Sequence, residues 1–519
     1  MSEKMRERYP GAYPFTDDRL SRLLFHGREQ ESTALAHQIL AHRLVVLFAR
    51  SGIGKTSLLN AGVAEKLRSE GFLPLTVRVN DANLGPLESV YRGIAAESQR
   101  QGVQYKEGKK LSLWHFFKTA EFWQEDFLMS PVLILDQFEE LFTLQSEQQR
   151  STFVDEFSYL VRGVRPKDPP RGAEEGTISQ VEVSDTPPPI KIVVSLREDF
   201  LASLEELADR IPEILDQRFR LLPLARPAAL RALEEPTAIE DPTLRTRPFE
   251  IDSRAKESIL DFLERRTISR MRRSSNYVEP FQLQLICQYI EEIAERKQRE
   301  GVQGVVNLTP KAIGGESRMR KILKDFYTRQ VAAVPSFRQK RGVKILCTEF
   351  LISPQGRRLR MEESEIKRLA GVKPDILRTL VDRRLLRVDH GADGTYYELG
   401  HDTLIGPVLD SRRMSFLIRA VVFLIFVLVL MAMSVFLLFG MWQEIIRIIE
   451  VEAAKVERKP GEILFIVFSA GFLVFFLLSA RRNFFQFLGM QRRARAERRS
   501  GSRGDSGVRA QKQASEAEK

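Results

Sequence analysis

Residues 47–62 read LFARSGIGKTSLLNAG: an apolar run, a glycine-bearing loop, then an amphipathic helical pattern. A strand, a tight loop and a helix in that order make a phosphate cradle when successive loop N–H groups curl toward the phosphate. Gly52 and Gly54 supply the curl beside Ser51. Lys55 is the cation for the β and γ oxygens, Thr56 the hydroxyl ligand for Mg²⁺, and Ser57 leads into a helix whose N-terminus favours anions. The usual spacing, G-x-x-x-x-G-K-[ST], starts with glycine, whereas Ala49 stands here; its methyl group is tolerable if φ is negative.

A cradle implies a nucleotide; a second acidic site decides its use. PVLILDQFEELF, residues 131–142, is a buried-type strand ending at Asp136, a carboxylate placed to hold Mg²⁺ directly or through water. Glu139 and Glu140 follow within one turn, where one of them would orient or deprotonate an attacking water. An ordinary solvated helix start would read the same way. Next in chain order, IVVSLREDF ends a strand with Arg197, a candidate sensor of the γ-phosphate. A lone arginine after a strand is otherwise a surface charge.

The strand candidates LVVLF (44–48), LTVRV (75–79), VLILD (132–136) and KIVVSL (191–196) alternate with helical patterns, which predicts an α/β unit with a mostly parallel sheet. Residues 163–190 are rich in Pro, Gly and charge and read as a surface insertion. Helical periodicity takes over from about 225. Near 385–400, LLRVDHGADGTYYELG predicts a hairpin turning at Gly391 and Gly394. At 519 residues the chain needs several domains. Lys plus Arg number 80 against 69 Asp plus Glu, but 11 basic and 4 acidic residues fall in 481–519, so seven of the eleven excess charges sit in one tail. That distribution argues against a nucleic-acid surface on the remainder. Cys287 and Cys347 lack metal-ligand spacing and read as reduced core residues of a cytosolic chain.

Together, YPGAYPFTDD with FHGREQE, ARSGIGKTS, LILDQFEEL, Arg197, VEPFQLQLICQ and YELGHDTL resemble, in order and over residues 9–412, a STAND-class signalling NTPase of the bacterial novel STAND branch. The resemblance implies an ASCE-type parallel-sheet P-loop domain (1–225), a helical lid (226–312) and a winged-helix domain (313–411). It implies ATP or ADP with Mg²⁺, with Gly27, Arg28 and Glu29 by the base and ribose and Pro280 against the adenine. His401, within Gly400-His401-Asp402, would touch the β-phosphate of ADP and lock a resting state. The family's glycine before the proline element is replaced by Val278 and Glu279, which leaves the geometry at Pro280 open. On the residues alone, Asp402 would also serve as a helix cap.

Residues 420–442 and 463–480 are 23 and 18 uncharged positions, long enough for two transmembrane helices within 416–480. Arg412, Arg413 and Arg419 precede the first; Arg481, Arg482, Arg492 and Arg493 follow the second; four acids and four bases balance in 443–461. The positive-inside rule then predicts a two-pass protein of the inner membrane, with the ATPase and the basic tail 481–519 in the cytoplasm. RRARAERR would contact anionic headgroups or remain solvated. Three functions fit these features to different degrees: a membrane-anchored ATP switch, a membrane-anchored nucleic-acid ATPase of origin-recognition type, and a transport ATPase. The first accounts for the P-loop, the histidine and the spans together. It would be a slow ATPase, ADP-bound at rest, forming a homo-oligomer with ATP on an unknown trigger or sensor protein, in the manner of bacterial defence or stress signalling. The hairpin would be an effector or an anchor.

Overall fold

The computed structural model describes residues 5–79, 84–166, 184–271, 277–301, 304–353, 358–391, 394–400 and 404–452. The chain divides into two units, Met1–Arg412 and Arg413–Lys519.

The nucleus of the first unit is a five-stranded sheet of β1 (Leu44–Ala49), β2 (Phe72–Val77), β3 (Ser130–Asp136), β4 (Lys191–Arg197) and β5 (Arg218–Arg220), ordered β2–β3–β4–β1–β5. Every neighbouring pair is parallel. On one face Val46, Leu133, Leu135 and Val194 pack with Phe138, Phe153 and Phe157. On the other, Val45, Leu47, Val132, Ile134 and Val193 pack with Leu35, Ile39, Leu58 and Leu67. Parallel strands covered on both faces must be apolar at successive positions, which is why these strands are legible as continuous runs.

The second strand begins earlier than its apolar run suggests and ends at Val77, so Arg78 follows the strand instead of lying inside it. The fifth has no apolar signal, because Arg218 and Arg220 are exposed on the sheet's edge. A small antiparallel sheet of Gln104–Lys106, Glu121–Gln124 and Phe127–Leu128 also escapes sequence reading, its strands being too short to show a period. After the P-loop the chain is helical through Lys55–Ser57, a π-helical turn Leu58–Val63, and Ala64–Ser69. It packs closely on the helix Glu29–Ala41: a Cβ at Gly62 would lie 2.3 Å from Ser32 Oγ.

The later half shares one apolar core that includes both free cysteines. Its helices include Ser253–Met271, Pro280–Arg299 and Gly315–Ala332, followed by Phe337–Ile345, Glu363–Leu369 and Pro374–Asp382. They lead to a three-stranded antiparallel sheet of Met361–Glu362, β6 (Leu386–Gly391) and β7 (Gly394–Leu399), in which β6 and β7 form the expected hairpin, with Leu386 opposite Leu399 and Gly391 opposite Gly394.

The N-terminal segment ties both halves together. Arg8 is fully buried and donates to the carbonyls of Pro236 (2.8 Å), Ile239 (2.6 Å) and Thr246 (2.6 Å), while its backbone N–H meets Glu291. A few residues on, Phe15 N–H donates to Ser57 Oγ of the P-loop helix at 3.2 Å.

A last helix spans Ile405–Glu452, and Phe423–Arg447 within it is long and apolar enough to cross a membrane. At about 1.5 Å per residue that stretch reaches roughly 37 Å. The second expected span (463–480), the tail (481–519), His401 with Asp402, and 167–183 of the expected insertion lie outside the described residues.

Candidate functional site

The strand order places three functional ends side by side. Because β4 lies between β1 and β3, Ala49 pairs with Arg197 and Asp136 with Ser195. The P-loop, the acidic motif and the arginine therefore open at the carboxyl edge of one sheet, where parallel α/β folds bind ligands. Ala49 is the buried last residue of β1, and its φ is not positive, so the methyl group in place of glycine is accommodated. The curl falls to Gly52 and Gly54, with φ of 82° and 100°.

Thr56 Oγ1 donates to Asp136 Oδ2 at 2.9 Å, and Ser195 Oγ donates to Asp136 Oδ1 at 2.9 Å. One carboxylate is thus aimed by two hydroxyls. Arg78 Nη2 lies 3.6 Å from Asp136 Oδ2. Lys55 Nζ stands 3.5 Å from Ala49 O. Burial lowers the Lys55 pKa, while Glu139 and Asp136 oppose that shift.

Past Asp136 the backbone makes an unusual turn. Gln137 has φ of 59°, and the turn lets Phe138 N–H donate to Ser195 O at 2.8 Å. A non-glycine residue in this region costs about 1–3 kcal/mol and persists only when its surroundings fix it. Here it folds Glu139 and Glu140 back over the strand ends. With its amide nitrogen on Glu140 Oε1 (2.8 Å), Gln137 accepts from Arg78 Nη2 at its oxygen (2.8 Å). Glu139 Oε2 accepts from Arg197 N–H at 3.3 Å. Burial pushes the Glu140 carboxyl up to about 7; Arg387 and Arg78 pull against this, and Glu139 and Asp136 add to it.

A cavity of about 380 Å³ joins these groups, within the usual range for small-molecule sites. Ser51, Gly52, Gly54, Lys55, Thr56, Ser57, Asp136, Glu139, Glu140, Arg197, Arg28 and Pro280 all line it. Gly27 and Glu29 are not among its lining residues. Glu29 opens its helix with its carboxylate on Gly27 N–H (2.6 Å) and Arg231 (3.1 Å). Arg28 is buried, held by Glu31 (2.7 Å) and by Ile53 O (3.2 Å). Pro280 is the first residue of its helix.

Sequence reading gives no individual role to other residues of the wall. Gly11–Phe15 contribute, as do Leu386, Arg387, Val388 and Gly400, the neighbour of His401. The only sequence signal for Arg387 is a charge within an apolar strand, which gives no hint of what it faces.

These residues fit a magnesium nucleotide. A Cβ at Gly54 would meet nothing within 4 Å, so the cradle is open, and Glu140 Oε2 is buried without a hydrogen-bond partner among the described residues. Lys55 offers the cation, and Thr56 with Asp136 the oxygen pair suited to a hard divalent ion.

Fold and site together define a parallel-sheet α/β P-loop ATPase. The profile of the novel STAND NTPase 1 family matches residues 9–407, and the chain belongs to that family. Membership implies nucleotide binding, typically with Mg²⁺. Among solved structures, the chain is similar to the Aeropyrum pernix ORC2 protein in ADPNP–ADP complexes, at 14% identity and TM-score 0.39, covering 79% of this chain and 99% of that one. It is also similar to the Aeropyrum pernix ORC1 protein in complex with DNA (16%, TM-score 0.37, 80% and 100%). Cdc6p from Pyrobaculum aerophilum aligns at 13% with TM-score 0.35, over 77% and 96% of the two chains. Comparison with curated proteins gives no match.

Proposed function

We propose that the protein is a membrane-anchored nucleotide switch that holds ADP at rest and assembles into a homo-oligomer with ATP, hydrolysing it slowly. One observation carries this reading: the cavity is walled at once by the sheet edge, by the helix that starts at Pro280, and by the β6–β7 hairpin with Gly400. A ligand held by three elements changes how they fit when it gains a γ-phosphate, and it shifts an equilibrium by its differential affinity for the two arrangements. In this proposal 1–225 is the NTPase domain, 226–312 the lid and 313–411 a winged helix. The helices followed by a three-stranded antiparallel sheet support the last assignment. Lys55 and Thr56 hold the phosphates and Mg²⁺ with Asp136, Arg197 senses the γ-phosphate, and Pro280 with the Gly27–Glu29 element lies toward the nucleoside. His401, the next residue in sequence after Gly400, is the one this proposal assigns to the β-phosphate of ADP.

The test measures bound nucleotide and particle mass in detergent-extracted wild type and His401→Ala. The wild type should carry ADP as a single copy; the variant should bind ADP about 5- to 150-fold more weakly, the span of typical coupling energies, and should assemble without a trigger. A variant that keeps ADP as tightly and stays a single copy overturns the lock.

Anchoring through the expected two-pass segment has its own test. The full chain should resist carbonate extraction from inner membranes, and a chain ending at residue 412 should be released. Release of both would remove the membrane from the proposal.

A further inference from the structure

The charged groups that face the site from the β6–β7 hairpin do not contribute to nucleotide binding or hydrolysis as described above. Arg387 on β6 sends Nη1 to Glu139 Oε1 (3.1 Å) and Nη2 to Glu140 Oε1 (3.4 Å), so one guanidinium spans both candidate water-positioning carboxylates. Directly opposite Arg387 across the hairpin, the partner strand does the reverse. Glu398 on β7 takes Arg197 Nη1 at 2.9 Å on Oε1. The same Glu398 oxygen accepts from Arg358 Nη1 at 3.2 Å, and Arg358 Nη1 also donates to Leu399 O at 2.8 Å, so Glu398 is aimed by a residue just ahead of its sheet's first strand.

The pairs are well shielded: the side chains of Glu139, Glu140, Arg197, Glu398 and Arg358 are at most 14% exposed, and that of Arg387 is 21% exposed. Both terminal nitrogens of Arg197 have carboxylate partners, Glu398 and Asp199. Burial works against the Arg197 charge, yet these carboxylates hold its pKa above the ordinary value. A guanidinium so engaged must loosen its carboxylate partners to turn fully to a γ-phosphate, and the Arg387 charge makes the bridged carboxylates weaker proton acceptors.

We propose that Arg387 and Glu398 form a charge-exchange latch, in which the hairpin neutralises the sensor arginine and the two glutamates together and so restrains ATP hydrolysis until the hairpin withdraws. The latch rests on the switch reading for its purpose, but its contacts run from protein to protein and need no bound nucleotide. It is therefore distinct from a histidine that holds ADP. A γ-phosphate competes for Arg197 with Glu398; once that pair parts, Glu398 keeps Arg358 as its partner, which lowers the cost of leaving it uncompensated.

The test compares full-length wild type, Arg387→Ala and Glu398→Gln, each with and without Lys55→Ala. The readouts are amide exchange of 386–391 and 394–399 without nucleotide, and ATP turnover at saturating MgATP. Each hairpin variant should speed exchange of the hairpin about 5- to 150-fold, as loss of a coupling of ordinary size would, whether or not Lys55 is present. Turnover should rise severalfold where Lys55 is intact. Arg387→Lys keeps the charge but not the two-pronged bridge and should fall between wild type and Arg387→Ala, which guards against a misfolded alanine variant. Unchanged hairpin exchange in folded variants, or faster exchange with unchanged or lower turnover, overturns the latch. If the wild type neither retains nor hydrolyses nucleotide, the switch reading fails, and the exchange measurement still decides whether the charge pairs hold the hairpin.

Discussion

Lys55→Ala should lower ATP affinity by roughly 100-fold or more, about 2.8 kcal/mol, with little loss of folded stability. The side chain lies between the glycine curl and the acidic motif, and its loss removes the cation that would neutralise the β and γ oxygens. Removing it costs the fold little because burial already disfavours the ammonium, as its lowered pKa records. The nearest carbonyl, Ala49 O at 3.5 Å, is a weak partner. Titration calorimetry with MgATP, beside a melting curve, checks both halves. Equal affinity in the two proteins would show that the cradle does not bind through this lysine.

The second large effect concerns hydrolysis. Glu140→Gln, or Glu139→Gln if that residue positions the water, should leave ATP binding intact and slow turnover about 10²- to 10⁴-fold, the range typical of general acid–base groups. Glu140 also predicts a pH profile. Its carboxyl, raised by burial to about 7, keeps its proton below that value and can accept one only above it. Turnover in the wild type should therefore climb as pH rises through about 7 and then level off, and in Glu140→Gln the climb should vanish. A flat wild-type profile together with unimpaired turnover in both glutamine variants would remove the two carboxylates from the chemistry.

Much of this was legible without coordinates. The chain's order of strand, loop and helix at 44–57, and the buried strand ending at Asp136, carry their meaning locally. A glycine curl needs its own glycines, and a strand buried on both faces must be apolar throughout, so neither depends on distant residues. The hairpin at 386–399 was readable for the same reason, from its own alternation and its turn glycines. The second strand was displaced because an apolar run shows where side chains are buried and not where hydrogen bonding to β3 stops. The charged edge strand Arg218–Arg220 was invisible, since its pairing is made by backbone groups on which its side chains have no bearing.

The composition of the site was another matter. Sequence order could nominate Arg197 as a sensor, but only the fold brings Glu398, 201 residues away, onto its guanidinium, and Arg387 onto glutamates 248 and 247 residues behind it. Charge pairing carries no period and no spacing rule along a chain; it depends on which loop closures the packed core enforces. Hence the sequence by itself determined that this protein carries a P-loop and an acidic strand end, and where each of these local elements lies. The tertiary structure alone decided which charges confront one another across the site, because two charges separated by hundreds of residues interact only once the core has set them a few ångströms apart.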